Sequence, residues 1–474
     1  MRKILFLILS FSVFFAETIY SAPVLVPPAA IGRLEPFKKG ERVLILVPHP
    51  DDEAIACAGI IQQALSAGAG VRIVYLTNGD NNEVAFVVYE KRPVFRQGEF
   101  IHMGEVRRLE SIKAMKLLGL NESNLTFLGY PDFGTFAIFS RYWQTKKPFK
   151  GMLTRISSVP YKENLSYKAP YVGENILSDL EQVILAFRPN KIFVSHPADT
   201  NVDHRALYLF LQVALRDLDK AIPKPVVYPY LVHCVGWPKP RHYHPELALE
   251  PPREFFDHQI NWLRFDLTKG QLNKKYQSIL CYRSQTSSAA FYLLAFARKN
   301  ELFGDYDDVE LTKQQASAEQ AASFLGDSNM YVDSDIGALE NVEKLIEGKD
   351  LVSYACLDGN FLIRITKARS LSRKLSFMVY LFGFNAKTPF GSMPKIQIIV
   401  KNKKFKALDK GRRIREPGIS LDLNADSLVL KVPMALLGQP DFLLASVKAY
   451  GGLFPVAASS YRKILRLFGR RYLI

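Results

Sequence analysis

Only four cysteines occur in 474 residues, at Cys57, Cys234, Cys281 and Cys356, and no two stand as a C-x-x-C pair. That spacing excludes a cysteine zinc ribbon and a dithiol redox motif. Cys57 falls on the apolar face of a helical pattern and the others in apolar surroundings, so buried thiols are expected rather than a disulfide framework. Long hydrophobic runs are equally scarce. One stands at the amino terminus, Ile4 to Ala16, thirteen residues behind Arg2 and Lys3. It is too short to span a bilayer comfortably and has the length of a signal-peptide core. Residues 1–22 are therefore expected to be a signal peptide or an uncut anchor, on an exported protein with a soluble body. Internal repeats and low-complexity tracts are absent. So are zinc-finger, RRM and helix-turn-helix signatures, and no nucleic-acid partner is expected. Acids are outnumbered, 46 against 62 bases, for a formal charge of +16. Such a charge suits an anionic membrane surface or an acidic glycan.

What is present is a strand-and-helix rhythm. The run "VLILV", Val43 to Val47, reads as a strand buried on both faces, and "EAIACAGIIQQALSAG" follows as a helix. "VRIVYLTNG", "LTFLGYPDFG", "NKIFVSH" and "PVVYPYLVHCV" read as further strands, with amphipathic helices between most of them. This alternation predicts an α/β fold, a Rossmann-like doubly wound parallel sheet. A helix is expected from Lys269 to Cys281. Between Phe136 and Val172 lies a long aromatic and basic stretch, read as a functional or mobile loop. Near Glu301 the texture turns polar. Beyond Leu351 come short alternating runs spaced by turn residues, which predict a smaller antiparallel β-sandwich. The expected domains are 38–305 for the α/β unit, 306–335 for a linker and 336–474 for the sandwich.

Two clusters carry chemistry. "PHPDDE" puts His49, Asp51, Asp52 and Glu53 directly after the first strand. Helix capping accounts for one or two of these acids but not for the histidine. "SHPADTNVDHRA" puts His196, Asp199, Asp203 and His204 after a later strand. Both clusters sit at strand carboxyl ends, where open α/β sheets bind ligands. His49, Asp52 and His204 form a two-nitrogen, one-oxygen set with an open position, the pattern of catalytic zinc, one ion per chain. Asp51, beside a ligand, is then available to take a proton from water.

"PHPDDE" followed by "DTNVDHRA" resembles the PIG-L/LmbE-like zinc-dependent de-N-acetylases, and the resemblance runs from about Arg42 to Phe303. "RRLESIKAMKLLG", "LGYPDFG" and "YRSQ" extend it. It implies hydrolysis of an N-acetyl group from an N-acetylglucosamine-type unit. It also implies His49, Asp52 and His204 as metal ligands and Asp51 as general base. Arg107 matches a sugar-contacting arginine and Asp132 a residue that contacts sugar hydroxyls. The chain departs from the family at Asn201, where a histidine often stands three residues before the last ligand. Asparagine can donate to an oxyanion but cannot act as an acid. Three alternatives follow: His196 substitutes for the missing group, Asp51 returns the proton itself, or activity is weak. Asp203 would then orient a neighbour or cap its helix.

The sandwich resembles carbohydrate-binding and DOMON-like domains more loosely, through "VPMALLGQPDFLLASVKAYGG", with a plain packing role as the alternative. The combined expectation is an exported N-deacetylase acting on a glycan or glycolipid, polymeric or lipid-linked and preferably anionic. The loop aromatics would then meet the sugar, and the sandwich would be a detachable substrate-holding module. Two rivals stay open: a zinc amidase on a non-sugar amide, and a glycan-binding protein with a weakened site.

Overall fold

The computed structural model describes residues 31–465, apart from 92–95, 253–254, 256–259, 312–330, 334–336, 339–350, 358, 367–374, 402–403, 424–426, 452–453 and 459. The expected signal or anchor at 1–22 lies outside the described residues.

Eight strands form one sheet: β1 (Gly32–Arg33), β2 (Arg42–Val47), β3 (Gly70–Thr77), β4 (Leu125–Tyr130), β5 (Lys191–Ser195), β6 (Val226–Tyr230), β7 (Ile260–Asp266) and β8 (Asn300–Tyr306). Their spatial order is β1-β7-β8-β6-β5-β2-β3-β4. Strands β2 to β6 all run parallel, as the continuous apolar runs predicted. Along β2 the side chains alternate faces. Val43, Ile45 and Val47 enter one core, and Leu44 and Leu46 enter another. Helices α1 (Asp52–Ser66), α2 (Glu83–Glu90), α3 (Gln97–Leu118), α4 (Thr135–Arg141), α5 (Gly173–Phe187) and α6 (Val202–Asp217) make the crossovers between these strands, while α7 (Lys269–Ile279) and α8 (Arg283–Leu293) link β7 to β8. The parallel, doubly wound sheet expected from the sequence is present. Strand order reverses between β2 and β5, so the crevice at their carboxyl ends lies at the switch point where such sheets bind ligands.

Strands β7 and β8 correct the sequence reading, which turned polar near Glu301. β8 runs antiparallel to both β6 and β7 and is buried within the sheet. Glu301 can lie there because Lys275 Nζ meets its carboxylate at 2.8 Å, and the N–H groups of Gly59 and Ile60 donate to it at 2.8 and 3.1 Å. A paired and hydrogen-bonded charge tolerates burial, so polarity alone misplaced this strand.

The expected linker is corrected at its start. β9 (Val309–Glu310) pairs with the last strand of the chain, β22 (Arg462–Leu465). Between them, β10 (Tyr331–Asp333), β12 (Leu351–Leu357), β13 (Asn360–Thr366), β18 (Ser420–Leu423) and β19 (Ser427–Pro433) form one antiparallel sheet. β11 (Gly337–Ala338), β14 (Leu375–Phe384), β15 (Lys395–Lys401), β16 (Lys404–Asp409), β17 (Arg412–Arg413), β20 (Phe442–Gly451) and β21 (Phe454–Ala458) build the second, which β9 and β22 join.

Strand β14 has two buried faces. Phe377, Val379 and Leu381 point into the core between the two antiparallel sheets. Tyr380, Phe382 and Phe384 point the other way, into the core beneath α4, α5 and α6. Phe139 packs against Phe382 and Phe390 at 5.2 and 5.4 Å between ring centres, and Trp143 meets Phe390 at 5.2 Å. Most aromatic rings of the stretch from 136 to 172 therefore pack into or against the core rather than facing a ligand. The stretch begins inside α4, and Phe139, Trp143 and Tyr161 are buried, while Tyr167 is exposed.

Candidate active site

β2 ends at Val47, and the chain turns through Pro48, His49 and Pro50 into α1. Asp51 occupies the N-cap with φ +121° and ψ −29°, a backbone conformation that disfavours any side chain. Its carboxylate makes no capping bond. Its carbonyl accepts the N–H groups of Ala54 and Ile55, both at 3.0 Å. The side chain is thus left over from helix construction, so capping does not explain this acid.

Two neighbours hold the strained turn. Fully buried Glu53 accepts the Asp51 N–H at 3.1 Å and is itself fixed by Tyr75 Oη at 3.0 Å and by the Tyr282 hydroxyl. Burial pushes the Glu53 carboxyl up to about 8. Arg107 reaches from α3 to donate to the carbonyls of Gly79 (3.0 Å) and Pro50 (2.6 Å), with Nη2 3.3 Å from Asp51 Oδ2. A Cβ at Gly79 would fall 2.0 Å from that guanidinium, which is why glycine stands there. Burial raises the Asp51 carboxyl to about 7, against the pull of Arg107.

His49, Asp52 and His204 converge. Their donor atoms lie within 4.8 Å of one another, and all three residues are buried. Asp52 Oδ2 is 3.4 Å from His49 Nδ1 and 3.3 Å from His204 Nε2. The far nitrogens face other carboxylates. His49 Nε2 lies 3.1 Å from Asp132 and 3.3 Å from Asp203, and His204 Nδ1 lies 3.1 Å from Asp199. Neither nitrogen of His204 makes an aligned hydrogen bond. Burial lowers the pKa of His204, and the carboxylates of Asp199 and Asp52 more than reverse it, to about 9. Four carboxylates around two rings call for positive charge. Each ring presents one nitrogen to the common point and the other to a carboxylate, the arrangement that orients histidine ligands. The donor set therefore fits a divalent ion.

A second grouping, His49, Asp132 and Asp203, is equally compact but already engaged. Asp203 accepts Phe133 N–H (2.5 Å), Thr135 N–H (3.0 Å) and Thr135 Oγ1 (2.5 Å), and so caps α4 across the crevice. Asp132 places one oxygen on His49 and the other on the Asn81 N–H at 3.1 Å. Both aspartates orient His49.

The cavity here holds about 160 Å³ and is lined by His49, Asp51, Asp52, Arg107, Asp132 and Asn201, among others. Asn201 is the N-cap of α6, and its Oδ1 accepts the Asp203 N–H at 2.8 Å. That bond fixes the amide orientation and turns its Nδ2–H groups out as donors.

His196 does not join this group. Its Nδ1 accepts the Ala198 N–H at 3.1 Å, and its ring stacks on Trp262 at 5.8 Å and 15°. Apolar packing at the end of β5, rather than the crevice, determines where its ring goes. Burial lowers its pKa to about 3, with Asp199 opposing and Arg462 assisting. A histidine in the unfolded chain titrates near 6.5, so on acidification the unfolded state binds this proton first. Stability should fall with pH from about 6.5 towards 3, by up to about 1.4 kcal/mol per unit from this ring. In denaturant titrations, His196→Leu should flatten that limb; parallel curves for variant and wild type would contradict the assignment.

Sequence reasoning missed His233 and Tyr292, which also line the cavity. The signal for His233 was present, since the run "PVVYPYLVHCV" carries a histidine just past the carboxyl end of another strand. Asp199 was seen but given no role. It accepts the N–H groups of Val232 (3.1 Å) and His233 (2.9 Å) beside His204, and so ties the end of β6 to the site.

A family model described as PIG-L, GlcNAc-PI de-N-acetylase, matches residues 44–215. A 1D-myo-inositol 2-acetamido-2-deoxy-alpha-D-glucopyranoside deacetylase of Kineococcus radiotolerans is 31% identical over 105 residues, which are 22% of this chain and 27% of that protein. The chain thus spans about a quarter of that relative's length. Among solved structures, N,N'-diacetylchitobiose deacetylase from Pyrococcus horikoshii aligns at 19% identity and TM-score 0.32, over 53% of this chain and 72% of that one. The 4-carboxy-2-hydroxymuconate hydratase GalB from Pseudomonas putida aligns at 16% identity and TM-score 0.35, over 58% and 100%. With strand order, cluster order and the convergence of His49, Asp52 and His204 all in place, residues 44–215 of this chain form a domain of the PIG-L family.

Proposed function

We propose that this chain is a metal-dependent N-deacetylase that removes the acetyl group from an N-acetylglucosamine-type unit of an exported or envelope glycoconjugate. The observation that carries the reading is the meeting of two imidazoles and one carboxylate beside Asp51, whose side chain serves no cap. The relative from Kineococcus, named for a 2-acetamido-2-deoxy-glucopyranoside, supports the substrate class.

His49, Asp52 and His204 would hold one zinc ion, which two nitrogens and a carboxylate suit. When bound, zinc supplies Lewis acidity at the acetamide carbonyl. Asp51 takes the proton from the attacking water as the new C–O bond forms. Arg107 and Glu53 hold that carboxylate on its strained turn. The Asn201 Nδ2–H groups are donors for the developing oxyanion. As the C–N bond breaks, Asp51 returns the proton to the amine, and acetate is the second product. Export is supported by the basic start and the thirteen-residue apolar core of the amino terminus. The net charge of +16 fits an anionic glycan or a nearby anionic membrane surface.

The test is acetate release from a panel of N-acetylated sugars, lipid-linked sugars and non-sugar amides, with zinc measured in protein purified without added metal. Release from acetylated amino sugars and about one zinc per chain are expected. Release from non-sugar amides alone would favour the amidase rival, and release from none would sink the enzyme reading.

A further inference from the structure

His233 lines the catalytic cavity, but no step above uses it. Its backbone is held on both sides. The N–H donates to Asp199 at 2.9 Å, and the carbonyl accepts Thr200 N–H at 2.9 Å and Thr200 Oγ1 at 3.1 Å. Its ring lies edge-on to His204, 4.7 Å between centres, and stacks on Tyr292 at 6.0 Å and 17°. Main chain and ring are therefore both fixed before any ligand arrives.

Tyr292 also sets the tautomer. Its hydroxyl donates its one proton to the Val232 carbonyl at 2.7 Å. Towards His233 Nδ1, 3.4 Å away, the same oxygen can only accept. The ring proton then sits on Nδ1, and Nε2 carries a lone pair. A fixed acceptor thus stands in the cavity alongside the Asn201 amide, which offers donors, and the carboxylates of Asp51, Asp52 and Asp132, which the metal site and the proposed base already use.

We propose that His233 Nε2 accepts the N–H of the substrate's secondary acetamide and so selects N-acetyl over O-acetyl groups. The inference rests on the deacetylase reading above. An acetamide presents one N–H beside its carbonyl. An acetate ester presents an oxygen lone pair at that position, which faces the Nε2 lone pair without a proton between them. Selection arises from one attractive contact and one repulsive one.

The experiment compares kcat/KM for a 2-acetamido sugar and its matching 2-O-acetyl analogue in wild type, His233→Phe and His233→Gln. Phenylalanine keeps a flat ring between His204 and Tyr292 but removes the acceptor, whereas glutamine offers a carbonyl oxygen. In His233→Phe, amide hydrolysis should fall about tenfold relative to ester hydrolysis, the scale of one lost hydrogen bond. His233→Gln should recover part of the ratio, and zinc content should be unchanged in both. An unmoved ratio, with both activities falling together, overturns the proposal. Independently, ¹⁵N shifts in labelled, metal-free protein should report the proton of His233 on Nδ1; a proton on Nε2 overturns it as well. Wild-type protein that hydrolyses neither substrate removes the deacetylase reading and this role with it, a result distinct from an active enzyme with an unmoved ratio.

Discussion

Asp51→Asn should bind zinc as the wild type does and lose roughly 10²- to 10⁴-fold in kcat, the usual contribution of a positioned acid–base group. The amide is nearly the same size, and the cap is built from the Asp51 backbone, so the α1 start should survive. Asparagine cannot accept the proton of water. Asp52→Ala should behave differently. It removes the one carboxylate oxygen that both His49 and His204 approach, at 3.4 and 3.3 Å, so zinc affinity itself should drop. Metal analysis and turnover, measured on both variants, separate the roles. If both lose zinc, or both keep it and lose turnover alike, the division of labour between these adjacent aspartates is wrong.

The proposed division was read from the sequence, because both residues stand in a single turn after a buried strand. The sheet was legible for the same reason: continuous apolar runs such as "VLILV" can only be buried on two faces, and the helices between them fix the parallel order. Other features depended on contacts across the fold. Glu301 looks like a surface acid until Lys275 and two α1 N–H groups are found against it. His196 directly follows β5 and His233 stands three residues past β6, and nothing local shows which of them reaches the crevice. One is packed on Trp262 and the other beside His204 because β5 and β6 deliver their ends to different neighbours. Asp132 and Arg107 could be placed near the site from their motifs. The Asp132 contact with His49 and the Arg107 hydrogen bonds to the Pro50 and Gly79 carbonyls follow only from the assembled crevice.

Ending the chain at residue 335 should abolish the folded enzyme rather than spare a small-substrate activity. The sequence suggested a detachable module joined by a linker, and a detachable module would leave the α/β unit intact. The structure gives the α/β unit and the carboxyl-terminal sheets a shared core. Tyr380, Phe382, Phe384, Phe390, Phe442, Leu444 and Tyr461 lie in one apolar cluster with Phe139, Trp143 and Phe210. Each large buried side chain contributes about 1.5–3 kcal/mol, so losing the set removes on the order of 10 kcal/mol or more. A folded domain has only about 5–15 kcal/mol in total. The damage would also fall close to the site, because Phe139 lies on α4 and Asp203, beside His49, caps that helix through Thr135. The single variant Phe139→Ala tests the same interface more gently and should cost about 3–5 kcal/mol in denaturant unfolding. Thermal melts and circular dichroism of the truncated chain check the larger claim. A soluble, cooperatively melting fragment that deacetylates a small acetylated sugar at the full-length rate would restore the detachable module and refute the shared core.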